Sequence, residues 1–273
     1  MFYCNFDSST TSRMYFTTTT ISTSSALING GMIYSSSNGN TEIKLNTYTA
    51  TNLLAQTGYG GGIAHIGSGI GPSLIVETTS GSINPTTSQT HGGFLYATSI
   101  GTAVITFSSM TITSPKATSN KGGVVFISSS NTLNFILNSF TVNSAIAGES
   151  GGVIYSTGGS NVVVNSNIMT INTATASNGD GGVFHFENTG STTISLTTPT
   201  FTSITASASG GIGSFAGTSV SVTATTFNVN TCDATNGNGG CFYYGNSGAC
   251  TININGGGVS SRSKAQLGGG FLY

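Results

Sequence analysis

Side chains that could do chemistry are scarce in this chain. Its carboxylates are Asp7, Glu42, Glu77, Glu149, Asp180, Glu187 and Asp233, set among 273 residues. Hydrolysis or elimination on a polysaccharide would need two of them paired, or a calcium cluster beside a basic residue. Wound on the glycine period described below, most stand at different phases. One group stacks, Lys121 with Glu149 and Asp180, and is expected to be an ion-pair ladder rather than an acid/base pair. Among the histidines, His65 and His185 share a phase but stand four coils apart, about 19 Å at strand spacing. They cannot share a metal, and with His91 they leave no metal or cofactor expected. The nonapeptide calcium pattern fails as well, because it needs an Asp in every turn. Cys4, Cys232, Cys241 and Cys250 form no CxxC pair. The last three, nine residues apart, are either partners in a disulfide or small apolar fillers.

What must position these residues is a repeat. A Gly-Gly pair followed by apolar residues recurs at Gly30-Gly31, Gly61-Gly62, Gly92-Gly93, Gly122-Gly123 and Gly151-Gly152. It returns at Gly181-Gly182, Gly210-Gly211, Gly239-Gly240 and Gly269-Gly270. Each unit of about 30 residues reads as three short strands: the apolar run after the glycines, an alternating stretch such as Ala103–Phe107, and a shorter one such as Met110–Thr113. A polar loop, for example 174–180, leads to the next pair. No stretch carries a helical stripe. Three narrow strands per unit suit one coil of a single-stranded parallel β-helix (β-solenoid), all-β, of about nine coils. An antiparallel propeller fits less well, with no Trp in the chain. The expected domain is one continuous solenoid over 1–273, with 1–29 an irregular first coil and 30–273 regular. The structural corners are assigned to Gly31, Gly62, Gly93, Gly123, Gly152, Gly182, Gly211, Gly240 and Gly270, where stacking leaves no room for a Cβ.

Behind the glycines runs a second periodic feature. The third residue after each pair is Tyr34, His65, Tyr96, Phe126, Tyr155, His185, Ser214, Tyr243 and Tyr273. The residue before each of these is mostly aliphatic, and neighbours on a strand face opposite ways. One apolar ladder must therefore lie outside, either covered by the chain's own loops or offered to a partner.

Charged residues are 5% of the chain, hydrophobic ones 37%, net charge is −1 and mean hydropathy +0.15. That is too apolar for disorder and gives nucleic acid no basic surface to hold. No uninterrupted apolar run is long enough to span a membrane. So neutral a surface has little repulsion to keep copies apart. Asparagine is abundant, yet N-glycosylation acceptors reduce to Asn84-Pro85-Thr86, which proline blocks, and the weak Asn230-Thr231-Cys232. The start lacks a signal peptide's charged and apolar regions, and the ninth glycine pair runs into Tyr273. The chain is therefore expected to belong to a longer one, or to stack head to tail on copies of itself.

The Gly-Gly-apolar-apolar box, together with a Phe-x-x-Asn box at Phe140–Asn143 and Phe227–Asn230, resembles the polymorphic outer-membrane-protein repeats of chlamydial autotransporters. Met169–Asn172 is a looser copy, and the box is absent as such at Tyr48 and Met110. The resemblance implies a right-handed parallel β-helix and surface adhesion. The expected function is a structural extracellular or cell-surface protein, the building block of a self-assembling fibre or filament, with O-glycans on its hydroxyls as an option. The alternative is an adhesin-type stalk that binds carbohydrate or a host surface through the aromatic column. A polysaccharide lyase or hydrolase, or an ice-binding protein built on ragged Thr columns such as Thr111/Thr113, Thr141 and Thr170, ranks lower.

Overall fold

The computed structural model describes residues 2–6, 11–67 and 72–273; Asp7 lies outside them, and Cys4 is described by its backbone alone. The described residues contain no helix and form a parallel β-solenoid of about eight turns. Two parallel sheets run along it. The first has nine short strands, among them Ile33–Ser37, Ile63–Gly67, Val125–Ser129 and Phe184–Glu187, each following a glycine pair. The second has fourteen strands and carries the rest of every coil. Within the first sheet each strand pairs with its equivalents one coil away, as in Val125↔Ile154 and Ile154↔Phe184.

Two expectations change. Residues 1–29 are expected to be irregular, yet within them Ser12–Ile21 and Ser24–Ala26 pair in register with the next coil. The alternating stretches are also not separate short strands. Ser73–Ser88, Asn161–Ala176 and Ser191–Ala206 each run unbroken for sixteen residues. Elsewhere the same path bends at serines in the left-handed region, such as Ser109 and Ser139, with φ of 47° and 52°. The strand also continues into what reads as polar loop. Ala174 and Ala176 are buried, as are Ala145 and Ala147 one coil earlier.

Those alanines exist because the glycine corner lies against them. At the first glycine of each pair φ is between 60° and 72°, a conformation that costs other residues strain. At the second, a Cβ would stand 2.0–2.3 Å from the carbonyl oxygen of the next coil's glycine, from Gly31 through to Gly240. It would also press on the alanine stretch: from Gly123 it would come within 2.9 Å of the Ile146 oxygen. This register corrects one corner. Gly60, not Gly61, carries the left-handed φ, and Gly61 meets Gly93. Gly62 instead faces inward, where a Cβ would strike the Phe94 ring at 2.4 Å.

Inside, alternate residues of both sheets close one continuous core. Ile43, Val76, Ile105, Phe135, Val164 and Ile194 are all essentially inaccessible. Each such side chain contributes about 1.5–3 kcal/mol on burial. Phenylalanines bridge coils, as Phe107 does with Phe140 at 5.4 Å between ring centroids. Gly123→Ala is expected to cost about 3 kcal/mol through overpacking. Gly81→Ala, whose nearest new contact is 3.3 Å away, should be close to neutral. Comparing the two thermal melts by circular dichroism checks this; equal melting temperatures would refute the corner's role.

Candidate functional site

The aromatic column is where the few reactive side chains gather. Its rings stack along the axis almost in parallel. Tyr96 and Phe126 lie 5.2 Å apart, Phe126 and Tyr155 5.2 Å, and Tyr155 and His185 5.3 Å, with interplanar angles of 16°, 11° and 7°. Each offset pair adds about 0.5–1.5 kcal/mol to the gain from burial. Because each ring face meets the next ring, little is left for solvent: Tyr96 and Phe126 are 8% exposed, His185 7% and Tyr155 2%. Over this length the column is a second small core rather than an open stripe. Tyr34 and Tyr243 are half-buried, Ser214 interrupts the stack, and Tyr243 stacks on Tyr273 at 5.9 Å.

His65 does not belong to the column. The extra glycine at 60–62 shifts the register, so Ala64 pairs with Tyr34 and His65 with Ser35. His65 therefore turns into the interior, fully buried, with Nδ1 3.2 Å from Ser35 Oγ and Nε2 without a partner. Burial pulls its pKa down to about 4. The place left by Ala64 is filled by Tyr59, whose ring lies 4.3 Å from Tyr96. His91 similarly lies 4.4 Å from Phe126.

Tyr59 and His91 belong to a file of residues immediately before the first glycines, of which the sequence singles out only Lys121 and Asp180. Their side chains cap the backbone one coil on. Asn29 Oδ1 accepts from Tyr59 N at 3.0 Å, His91 Nδ1 from Lys121 N at 3.3 Å, and Ser150 Oγ from Asp180 N at 3.1 Å. Asp180 Oδ1 accepts from Ser209 N at 2.6 Å and Ser209 Oγ from Asn238 N at 3.1 Å. The signal in the sequence is a polar acceptor at that position in most coils, with Tyr59 and Lys121 among the departures. This file also overturns the Lys121–Glu149–Asp180 ladder, since Ser150, not Glu149, stands between Lys121 and Asp180.

Lys121 turns instead to the column. Its Nζ donates to Tyr155 Oη at 2.9 Å, lies 4.5 Å from that ring's centroid and is 3.7 Å from Glu187 Oε1. Tyr155 donates to Glu187 Oε2, and His185 Nε2 lies 2.9 Å from Glu187 Oε1. The hydrogen bond from His185, then that from Tyr155, hold the Glu187 carboxyl at about 2 despite partial burial. Burial, and then Glu187 itself, push the Tyr155 phenol up. A carboxylate so fully ionised is a poor proton donor, and a phenol shifted upward is a poor base. The group is built to hold charge in place.

The remaining ionic residues sit apart. Arg13, Glu42, Lys44 and Glu77 form an exposed chain of ion pairs at 3.0–3.2 Å, of small energetic weight. Cys232 and Cys241 form a disulfide with Cα atoms 5.0 Å apart, spanning the Gly239-Gly240 corner, while Cys250 is free and exposed. Among the described residues no three His, Cys, Asp or Glu side chains converge as a metal site, and no helix is long and apolar enough to cross a membrane. Two shallow grooves mark the second sheet, one at Thr200, Asn228 and Gly258, the other at Asn52, Leu54 and Pro85; neither is lined by a titratable side chain. Compared with known proteins, the chain matches no family model, no curated protein and no solved structure.

Two outcomes are expected. His65 titrates at about 4 when folded and near 6.5 when unfolded, so acid protonates the unfolded chain first. Stability is then whole above about pH 6.5 and falls, by on the order of 3 kcal/mol, as pH drops towards 4. Melting curves from pH 7 to 4.5 should show this. Because burial pulls His91 down to about 4 as well, His65→Leu should remove about half of the pH dependence rather than all of it; an unchanged profile would count against it. In a double-mutant cycle, Tyr155→Phe and Glu187→Gln should couple by about 1 kcal/mol, whereas additive effects would show that the contact contributes nothing.

Proposed function

We propose that the chain is a structural protein, a β-solenoid building block of a fibre or surface filament outside the cell. The carrying observation is that the aromatic column and the ionic group beside it are taken up by contacts within the rod itself. The aromatic column is buried between its own rings from Tyr96 to His185. The ionic group at its edge holds Glu187 as a permanent carboxylate. The pre-glycine file spends its acceptors on backbone N–H groups. The Cys232–Cys241 disulfide fits an oxidising compartment, as does the resemblance to autotransporter repeats. Low charge favours packing between copies.

The adhesin-stalk reading loses much of the surface it invoked, because the rings meant to meet a sugar face one another. A polysaccharide-cleaving role gains no support from Glu187, whose ionisation suits pairing rather than proton donation. Immunogold microscopy with antibodies raised against residues 1–273 is expected to label fibres or filaments at the surface of producing cells. Labelling confined to the cell interior, or cleavage of a polysaccharide abolished by Glu187→Gln, would overturn the proposal.

A further inference from the structure

The outer face of the third stretch of each coil carries an order that the sequence hides. Backbone pairing aligns Thr20, Thr49, Ser82, Thr111, Thr141, Thr170 and Thr200 in one unbroken file. Coil lengths vary, so the same residues look ragged along the chain. Two positions further on stand Thr51, Asn84, Thr113, Asn143, Asn172 and Thr202, with Thr51 paired to Asn84 and Thr113 to Asn143. Asn172 Nδ2 donates to Asn143 Oδ1 at 2.5 Å, and Asn143 Nδ2 to Thr113 Oγ1 at 3.4 Å. Between the files, Ile83, Ile112, Val142, Ile171 and Phe201 point inward and are inaccessible. They lock the strand so that the polar residues all face out.

The backbone sets the lattice of this face. Strand spacing puts successive coils about 4.8 Å apart, and alternation puts the two files about 7 Å apart, over a length of about 30 Å. Each position carries a hydroxyl or an amide, groups that both donate and accept hydrogen bonds. No position in either file is charged or aromatic. An anionic or cationic polymer therefore finds no complement here, and a sugar ring finds no flat apolar surface to stack on. The neutral complement to such an array is another array of neutral, donating and accepting oxygens on a similar short repeat.

We propose that this face binds the surface of ice, with water molecules of the lattice as its hydrogen-bonding partners. The files are already ordered by the sheet and by their own amide contacts, so little conformational freedom is lost on binding. Threonine methyl groups beside the hydroxyls add apolar contact with the same layer. The face ends where Gly258 follows Asn228 and the pairing slips, leaving the notch at Thr200, Asn228 and Gly258. The proposal rests on the register alone and does not depend on the structural role above.

Thermal hysteresis and inhibition of ice recrystallisation by the purified 1–273 chain test it directly. Both are expected, with loss of both in Thr141→Lys and in Thr170→Lys. Thr193→Lys, exposed on a different stretch of the coil, should retain them; circular dichroism should show all three variants folded. Absence of both activities in the unaltered chain would overturn the proposal. So would equal loss in Thr193→Lys, or binding to insoluble cellulose or chitin with no effect on ice.

Discussion

The solenoid depends on one close approach. At the second glycine of each corner from Gly31 to Gly240, though not at Gly270, where the nearest contact would be Ser263 O at 3.3 Å, the backbone of one coil sits against the glycine carbonyl of the next and against the end of its own coil's second-sheet wall. No side chain of any size fits. That contact keeps successive corners directly above one another, and every other axial file inherits its alignment: the inward core, the aromatic column, the pre-glycine caps and the hydroxyl face. Sheet hydrogen bonds alone would hold neighbouring coils together without deciding which residue stands over which.

Stacking then explains how so neutral a chain satisfies its polar groups. Backbone donors along the axis pair between coils, and at the corner, where strand pairing is interrupted, the pre-glycine side chains complete the set. Many of the charges are paired: at the rim of the aromatic column, in the Arg13–Glu77 chain, and between Arg262 and Asp233. His65 is one of a few exceptions among the described residues, with Tyr48 Oη and Asn134 Oδ1 among the others. It lies in the core with one ring nitrogen unpartnered, at a point where an extra glycine moved it there.

Much of the fold was legible because glycine and alternation are local signals. A Gly-Gly pair in phase along the whole chain can be read without knowing what packs on it, and period-two apolar residues mark an inner face wherever they occur. The candidate site was less legible. The Lys121–Glu187 contact joins residues two coils apart, and Glu149 drops out because it stands two residues before its glycine pair where Lys121 and Asp180 stand one before theirs. The cysteines show the same limit: equal spacing left Cys232, Cys241 and Cys250 equivalent, whereas only Cys232 and Cys241 approach each other across a corner.

The amino-acid sequence by itself determined the parallel solenoid, its repeat and the existence of two apolar ladders on opposite faces of one strand. Only the tertiary structure decided their register. In the run Gly60-Gly61-Gly62 three glycines offer two possible pairs, and the choice rests on which one meets Gly31 and Gly93 in the neighbouring coils. A shift of one residue exchanges the two faces of a strand. It sends His65 inward and leaves Ala64 in the aromatic column, where Tyr59 closes the gap.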